Sequence, residues 1–187
     1  MKFIATGFCG IAVMLTAIAW AVDGPGLVTV RGIHLSCDAC VVDSEGSLKE
    51  IAGISDAKAD LNGRSLTFKA RDEKTAQTGI KALAESGFFG RAAFGNKDLA
   101  FPDLGIKKGE KRDTITLTGI HLSCGACRKS AHEALTKLDG LSSMEIDPAQ
   151  RTIKLTGAGM IVQDAVDLLH KAGFYPTLKT PEKRPPF

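Results

Sequence analysis

The sequence is poor in the features that mark most catalytic and nucleic-acid-binding chains. It has no Gly-rich phosphate loop, no Met-rich stretch and no Ser/His/Asp arrangement of a hydrolase. It has almost no excess charge: the formal net charge is +3 over 187 residues. Residues 22–96 carry nine basic and ten acidic side chains, and residues 113–180 carry seven of each. No basic face is implied, which argues against nucleic acid as a partner. Nothing in this inventory points to an enzyme.

What the chain does have begins with a leader. Lys2 supplies a positive start, Phe3 to Ile18 is an almost unbroken apolar run, and Ala19-Trp20-Ala21 is a small-x-small cleavage site. Residues 1–21 are therefore expected to be a signal peptide, which places the mature protein in the periplasm or outside the cell. The alternative is an uncleaved membrane anchor, since the run approaches the ~20 residues that span a bilayer. Cys9 leaves with the leader, and four cysteines remain: Cys37, Cys40, Cys124 and Cys127.

Those four lie in a repeat. Thr29 to Cys40 returns as Thr116 to Cys127 at an offset of 87, and from Gly32 to Cys40 eight of nine positions are identical. From Val41 to Ala70 only Leu48, Gly53, Ser55, Asp60 and Arg64 keep their counterparts, at Leu135, Gly140, Ser142, Asp147 and Arg151. Gly87-Phe88 matches Gly173-Phe174 after a one-residue gap. Two copies that diverged almost everywhere have kept the stretch around the cysteines. The expected organisation is a first domain at 26–96, a solvated linker at 97–112, a second domain at 113–180 and a loose tail at 181–187.

Each copy reads β-α-β-β-α-β. In the second, a β-rich run ends at Gly119, a helix starts near Cys127, and alternating Met144, Ile146 and Ile153, Leu155 flank the turn at Asp147-Pro148. A second helix covers Val162 to Ala172 and ends at Gly173. This is an α+β architecture, two tandem ferredoxin-like βαββαβ domains. The first copy is expected to be the weaker: Gly46 stands mid-helix where the second has Glu133, and Ser44 and Ser47 replace Ala131 and Ala134.

Each Cys-x-x-Cys pair falls between a strand end and a helix start. Unpaired N–H groups and the positive end of the helix dipole favour thiolate over thiol there. Two soft thiolates suit Cu(I) or another soft ion better than Ca²⁺ or Mg²⁺. A redox dithiol and a short structural disulfide are the competing uses. Asp38, between the first pair, complements the helix dipole or tilts that site toward zinc.

With these residues the sequence resembles the heavy-metal-associated (HMA) domain family. That family includes copper chaperones, the metal-binding modules of copper- and zinc-exporting ATPases and the periplasmic mercury-binding protein. Its signature is Gly-Met-Thr-Cys-x-x-Cys, followed by a Leu-x-x-Leu-x-Gly stretch, loosely kept here as Leu48 to Gly53, and a closing Gly-Phe. The Met is replaced by Leu35 and Leu122, and the Gly by His34 and His121.

The resemblance implies an exported metal carrier or scavenger that loads from, or delivers to, a donor or acceptor protein. Its cargo would be a soft ion, Cu(I) favoured and Zn or Hg possible, about one per domain, on Cys37 with Cys40 and on Cys124 with Cys127. A membrane would be involved only if the leader stays attached. His34 and His121 are candidate third ligands because imidazole suits copper and zinc; strand alternation would otherwise point them outward. Phe88 and Phe174 are expected to cover the metal loops or to pack in the core.

Overall fold

The computed structural model describes residues 26–179. The leader and the tail from Pro181 lie outside the described residues. No helix among the described residues is long and apolar enough to cross a membrane.

The first repeat is β1 (Gly26–Arg31), α1 (Asp38–Lys49), β2 (Ile54–Asp60), β3 (Ser65–Ala70), α2 (Glu73–Glu85) and β4 (Arg91–Phe94). A short strand, β5 (Lys97–Leu99), follows. The second repeat is β6 (Lys111–Thr118), α3 (Gly125–Leu135), β7 (Leu141–Asp147), β8 (Thr152–Ile161), α4 (Val162–Ala172) and β9 (Thr177–Leu178). The strand orders are β2-β3-β1-β4-β5 and β7-β8-β6-β9, both fully antiparallel. Each sheet thus has the split-βαβ order, with the first strand central and the last strand beside it. The expected α+β, ferredoxin-like fold is present twice.

The apolar period is clearest in α4. In α4, Val162, Ala165, Val166 and Leu169 are buried, one stripe at spacings of three and four. In α2, the Asp72 side chain accepts from the Thr75 N–H at 2.7 Å and so caps the first turn. Each sheet turns one face to its helices: Val28, Val30, Leu66 and Phe68 in the first, Ile115, Leu117, Ile153 and Leu155 in the second, all fully buried. In α1, Ser44 is buried where α3 has Ala131, and its hydroxyl donates back to the Val41 carbonyl at 3.0 Å.

The stretch expected to be a solvated linker is partly built into the fold. Lys97–Leu99 adds a fifth strand to the first sheet, with Ala92 opposite Leu99. The Gln77 amide donates to the Ala100 carbonyl at 2.6 Å, and the Tyr175 hydroxyl donates to the Pro102 carbonyl at 2.7 Å. Phe101 packs on Phe89 with ring centroids 4.8 Å apart. Composition marked this stretch as polar and turn-rich; the few residues that anchor it, Leu99, Phe101 and Pro102, are too short a run to carry a period.

The two repeats dock on each other. Phe88 and Phe174 pair as an isolated antiparallel bridge. Around them, the His34 and Phe89 N–H groups both donate to the Gly173 carbonyl, at 3.2 and 3.0 Å, and the Tyr175 N–H donates to the Gly87 carbonyl at 2.9 Å. Gly173 has φ +90, and a Cβ there would lie 2.4 Å from the His34 nitrogen and 2.6 Å from the Gly32 carbonyl oxygen. The closing Gly-Phe of each repeat is therefore the contact between repeats, and glycine is what permits it.

Candidate metal centre

Docking brings the two Cys-x-x-Cys loops face to face. In each repeat the first cysteine is the N-cap of the helix: Cys37 has φ −162 and ψ 167, Cys124 has φ −132 and ψ 169. The second cysteine follows in the first turn. Cys124 acts as its own cap, its sulfur accepting from the Cys127 N–H at 3.4 Å. The sulfurs of Cys37, Cys40, Cys124 and Cys127 all lie within 4.8 Å of one another. Neighbouring sulfurs stand at 3.4 Å (Cys37–Cys40), 3.5 Å (Cys40–Cys127) and 3.1 Å (Cys124–Cys127). All four are free thiols; Cys40 and Cys127 are buried, Cys37 and Cys124 half-buried.

The sequence placed the pairs in two separate loops, one ion to each. The structure instead joins them across the repeat interface. The physical reason is the pseudo-symmetric docking of two like modules through the same surface, which the repeat pattern alone does not announce.

Protons are shared unevenly in the metal-free cluster. The hydrogen bond from Cys127 pulls Cys40 strongly toward thiolate. The reciprocal bond to Cys40, with burial, holds Cys127 as thiol. Burial pushes Cys124 up, but hydrogen bonds from Cys127 and Ser36 more than offset this and bring it to about 7. Burial and the contact with Cys124 push Cys37 up.

His34 and His121 are not the outward, solvated residues that strand alternation implied. Each is only 5% exposed. The reason is the partner repeat: His34 stacks on Phe174 at 4.1 Å and His121 on Phe88 at 4.3 Å, so each imidazole is covered by the opposite repeat's phenylalanine. Phe88 and Phe174 thus pack under the histidines rather than over the metal loops. Burial lowers the His34 pKa to about 4.

Each imidazole meets a serine hydroxyl beside the sulfurs, and His121 also helps by a hydrogen bond to hold Cys40 as thiolate. His34 Nε2 lies 3.0 Å from Ser36 Oγ, and His121 Nε2 lies 2.8 Å from Ser123 Oγ. Ser36 Oγ then stands 3.6 Å from both Cys124 and Cys127, and 3.7 Å from Cys40. The imidazole nitrogens themselves are not members of the four-sulfur group.

Two pairs of residues carry more of the site than the sequence reading assigned them. Ser36 and Ser123 lie inside the near-identical stretch, which was their only signal. Arg64 and Arg151 were among the five matches in the diverged region. Their Nε atoms donate to the Ile33 and Ile120 carbonyls at 3.4 and 3.2 Å, bracing the strand-to-helix loops. Arg64 also donates across the interface to the Ala172 carbonyl at 3.2 Å, while Arg151 donates to its own repeat's Gly119 at 2.6 Å.

Comparison with known proteins leaves the sequence without a match to any family model, and no curated protein matches it. Solved structures do. Oxidized MerP from Ralstonia metallidurans CH34 is 25% identical, covering 38% of this chain and 100% of that one, with a TM-score of 0.34. The N-terminal soluble domains of Bacillus subtilis CopA are 19% identical over 82% of this chain and 92% of that one, with a TM-score of 0.30. A chain from work on crosstalk between Cu(I) and Zn(II) homeostasis is 24% identical over 36% of this chain and 100% of that one, with a TM-score of 0.33. The resemblance to HMA domains rests on the chain itself: two βαββαβ modules, each with a Cys-x-x-Cys pair opening its first helix.

Proposed function

We propose that this is a metal-binding protein that takes up soft ions on Cys37, Cys40, Cys124 and Cys127 and acts as an exported carrier or scavenger. One observation carries the reading: four free thiols converge at a loop surface where two helix N-termini meet. Converging thiolates repel one another unless a cation or protons stand between them. A soft cation meets that need, and Cu(I), Zn²⁺ and Hg²⁺ all take sulfur ligands. Cu(I) is the ion that a two-thiolate loop favours. The leader sequence supports an exported location, and a donor or acceptor protein would exchange the ion with the half-buried Cys37 and Cys124.

A dithiol–disulfide protein is the competing reading. Anaerobic purification followed by metal analysis and a free-thiol count separates the two. Bound soft metal with masked thiols supports the proposal. Metal-free protein that cycles between dithiol and disulfide, and takes up no Cu(I), Zn²⁺ or Hg²⁺ when reduced, overturns it.

A further inference from the structure

Two modules with one Cys-x-x-Cys each invite the count of two ions per chain. The sulfur positions do not allow two independent sites. The approach of Cys40 to Cys127 between the pairs, 3.5 Å, is within 0.1 Å of the spacing inside the first pair, 3.4 Å. Two dipositive ions on these sulfurs would sit a few ångströms apart, each drawing on thiolates the other needs. One tetrahedral ion with sulfur at about 2.3 Å asks for sulfur–sulfur edges of about 3.8 Å. The observed neighbours at 3.1–3.5 Å have to open by a few tenths of an ångström, and the widest separations, up to 4.8 Å, have to close by about 1 Å, to reach that set.

We propose, building on the soft-metal reading above, that the two repeats form a single closed tetrathiolate site holding one tetrahedral divalent ion of the Zn²⁺ type, each repeat supplying half of the ligands. Neither repeat is complete without the other. The interface is what the site needs: His34 stacked on Phe174, His121 stacked on Phe88, and main-chain bonds through Gly87 and Gly173 fix the loops opposite each other. The histidines, phenylalanines and glycines of these contacts are identical in both repeats, so the repeated Cys-containing stretch and the closing Gly-Phe together carry the ligands and the surface that pairs them.

The consequence is functional. A two-thiolate loop offers its ion to any incoming sulfur. Here Cys40 and Cys127 are fully buried, and only Cys37 and Cys124 are within reach of an acceptor. Release requires the repeats to part, so the site retains its ion and serves sequestration better than rapid relay.

The test uses the reduced, metal-free full chain and Zn²⁺ as the probe. Native mass spectrometry gives the stoichiometry, and competition with a chromophoric chelator gives the affinity. The expected result is one Zn²⁺ per chain with four thiols protected from alkylation. Cys37→Ser with Cys40→Ser, and separately Cys124→Ser with Cys127→Ser, should each lower affinity by at least about 100-fold, because half the ligands of one site are lost. Far-UV circular dichroism checks that both variants stay folded.

Two Zn²⁺ per chain, or a pair variant that keeps one ion at undiminished affinity, overturns the shared site and leaves the soft-metal reading standing. Uptake of Cu(I) without Zn²⁺ does the same. No uptake of any soft ion by reduced protein overturns both.

Discussion

Gly173→Ala is the sharpest perturbation of the repeat interface short of touching a ligand. The new methyl would stand 2.4 Å from the His34 nitrogen and 2.6 Å from the Gly32 carbonyl oxygen, both backbone atoms that cannot rotate aside. The repeats must separate locally, which breaks the bonds from His34 and Phe89 to the Gly173 carbonyl. Two such bonds contribute about 1–3 kcal/mol together, and alanine at φ +90 adds about 1–2 kcal/mol of left-handed strain. The total is about 2–5 kcal/mol, large against the ~5–15 kcal/mol of a typical domain.

Strain alone is measured by Gly95→Ala. Gly95 has φ +57 with open space where its Cβ would go, so that variant pays the backbone term and meets no neighbour. Urea denaturation of both variants, paired with Zn²⁺ competition, gives the answer. Gly173→Ala should lose clearly more stability than Gly95→Ala and at least about tenfold in metal affinity, 1.4 kcal/mol being a factor of ten. Gly95→Ala should bind Zn²⁺ as the parent does. If the two variants match in stability and in affinity, the interface is not what assembles the four sulfurs.

Other expectations follow from the same geometry. Gly46→Ala in α1 should stabilise the metal-free protein by about 0.5–1 kcal/mol, since its Cβ meets nothing within 4 Å; an unchanged or lower urea midpoint would contradict the account of α1 as the weaker helix. His34→Phe with His121→Phe keeps the stacks on Phe174 and Phe88 and removes the ring nitrogens, so the thiolate-to-cobalt absorption of Co²⁺-loaded protein should keep its position and intensity. A shifted spectrum would make the imidazoles ligands. In metal-free protein, alkylation of Cys124 should rise through about pH 7, where its thiolate forms, while Cys37, pushed up, reacts only in more alkaline solution. Peptide-resolved alkylation rates checked across pH 5.5 to 9 would refute this if the two outer cysteines titrated together.

Much of this was legible in the chain. Apolar period placed the two helices of the second repeat and the repeat pattern carried them over to the first, the Asp147-Pro148 turn separated β7 from β8, and the Cys-x-x-Cys pairs were put at helix starts, where the structure has them. These are properties of residues near one another in sequence. The burial of His34 and His121, against the outward direction that strand alternation gives, marks the boundary of such properties. Alternation along β1 and β6 tells which way a side chain leaves its own sheet, but the imidazoles are buried by phenylalanines from the other repeat, 140 positions away for Phe174 and 33 for Phe88. The capture of Lys97–Leu99 by β4 escaped for a related reason: three residues are too few to show a period, and pairing supplies what propensity does not.

By itself, then, the sequence determined the duplicated module, its strand and helix order, the chemistry of its ligands and the glycines that close each repeat. Only the tertiary structure decided that the two modules face each other, that their histidines are walled in, and that four sulfurs share one point. The reason is physical. Local periodicity records which face of an element seeks cover, whereas the identity of the cover depends on the complementary shape of two assembled surfaces. Gly87 and Gly173 are where that complementarity is made, by the absence of a single carbon atom on each.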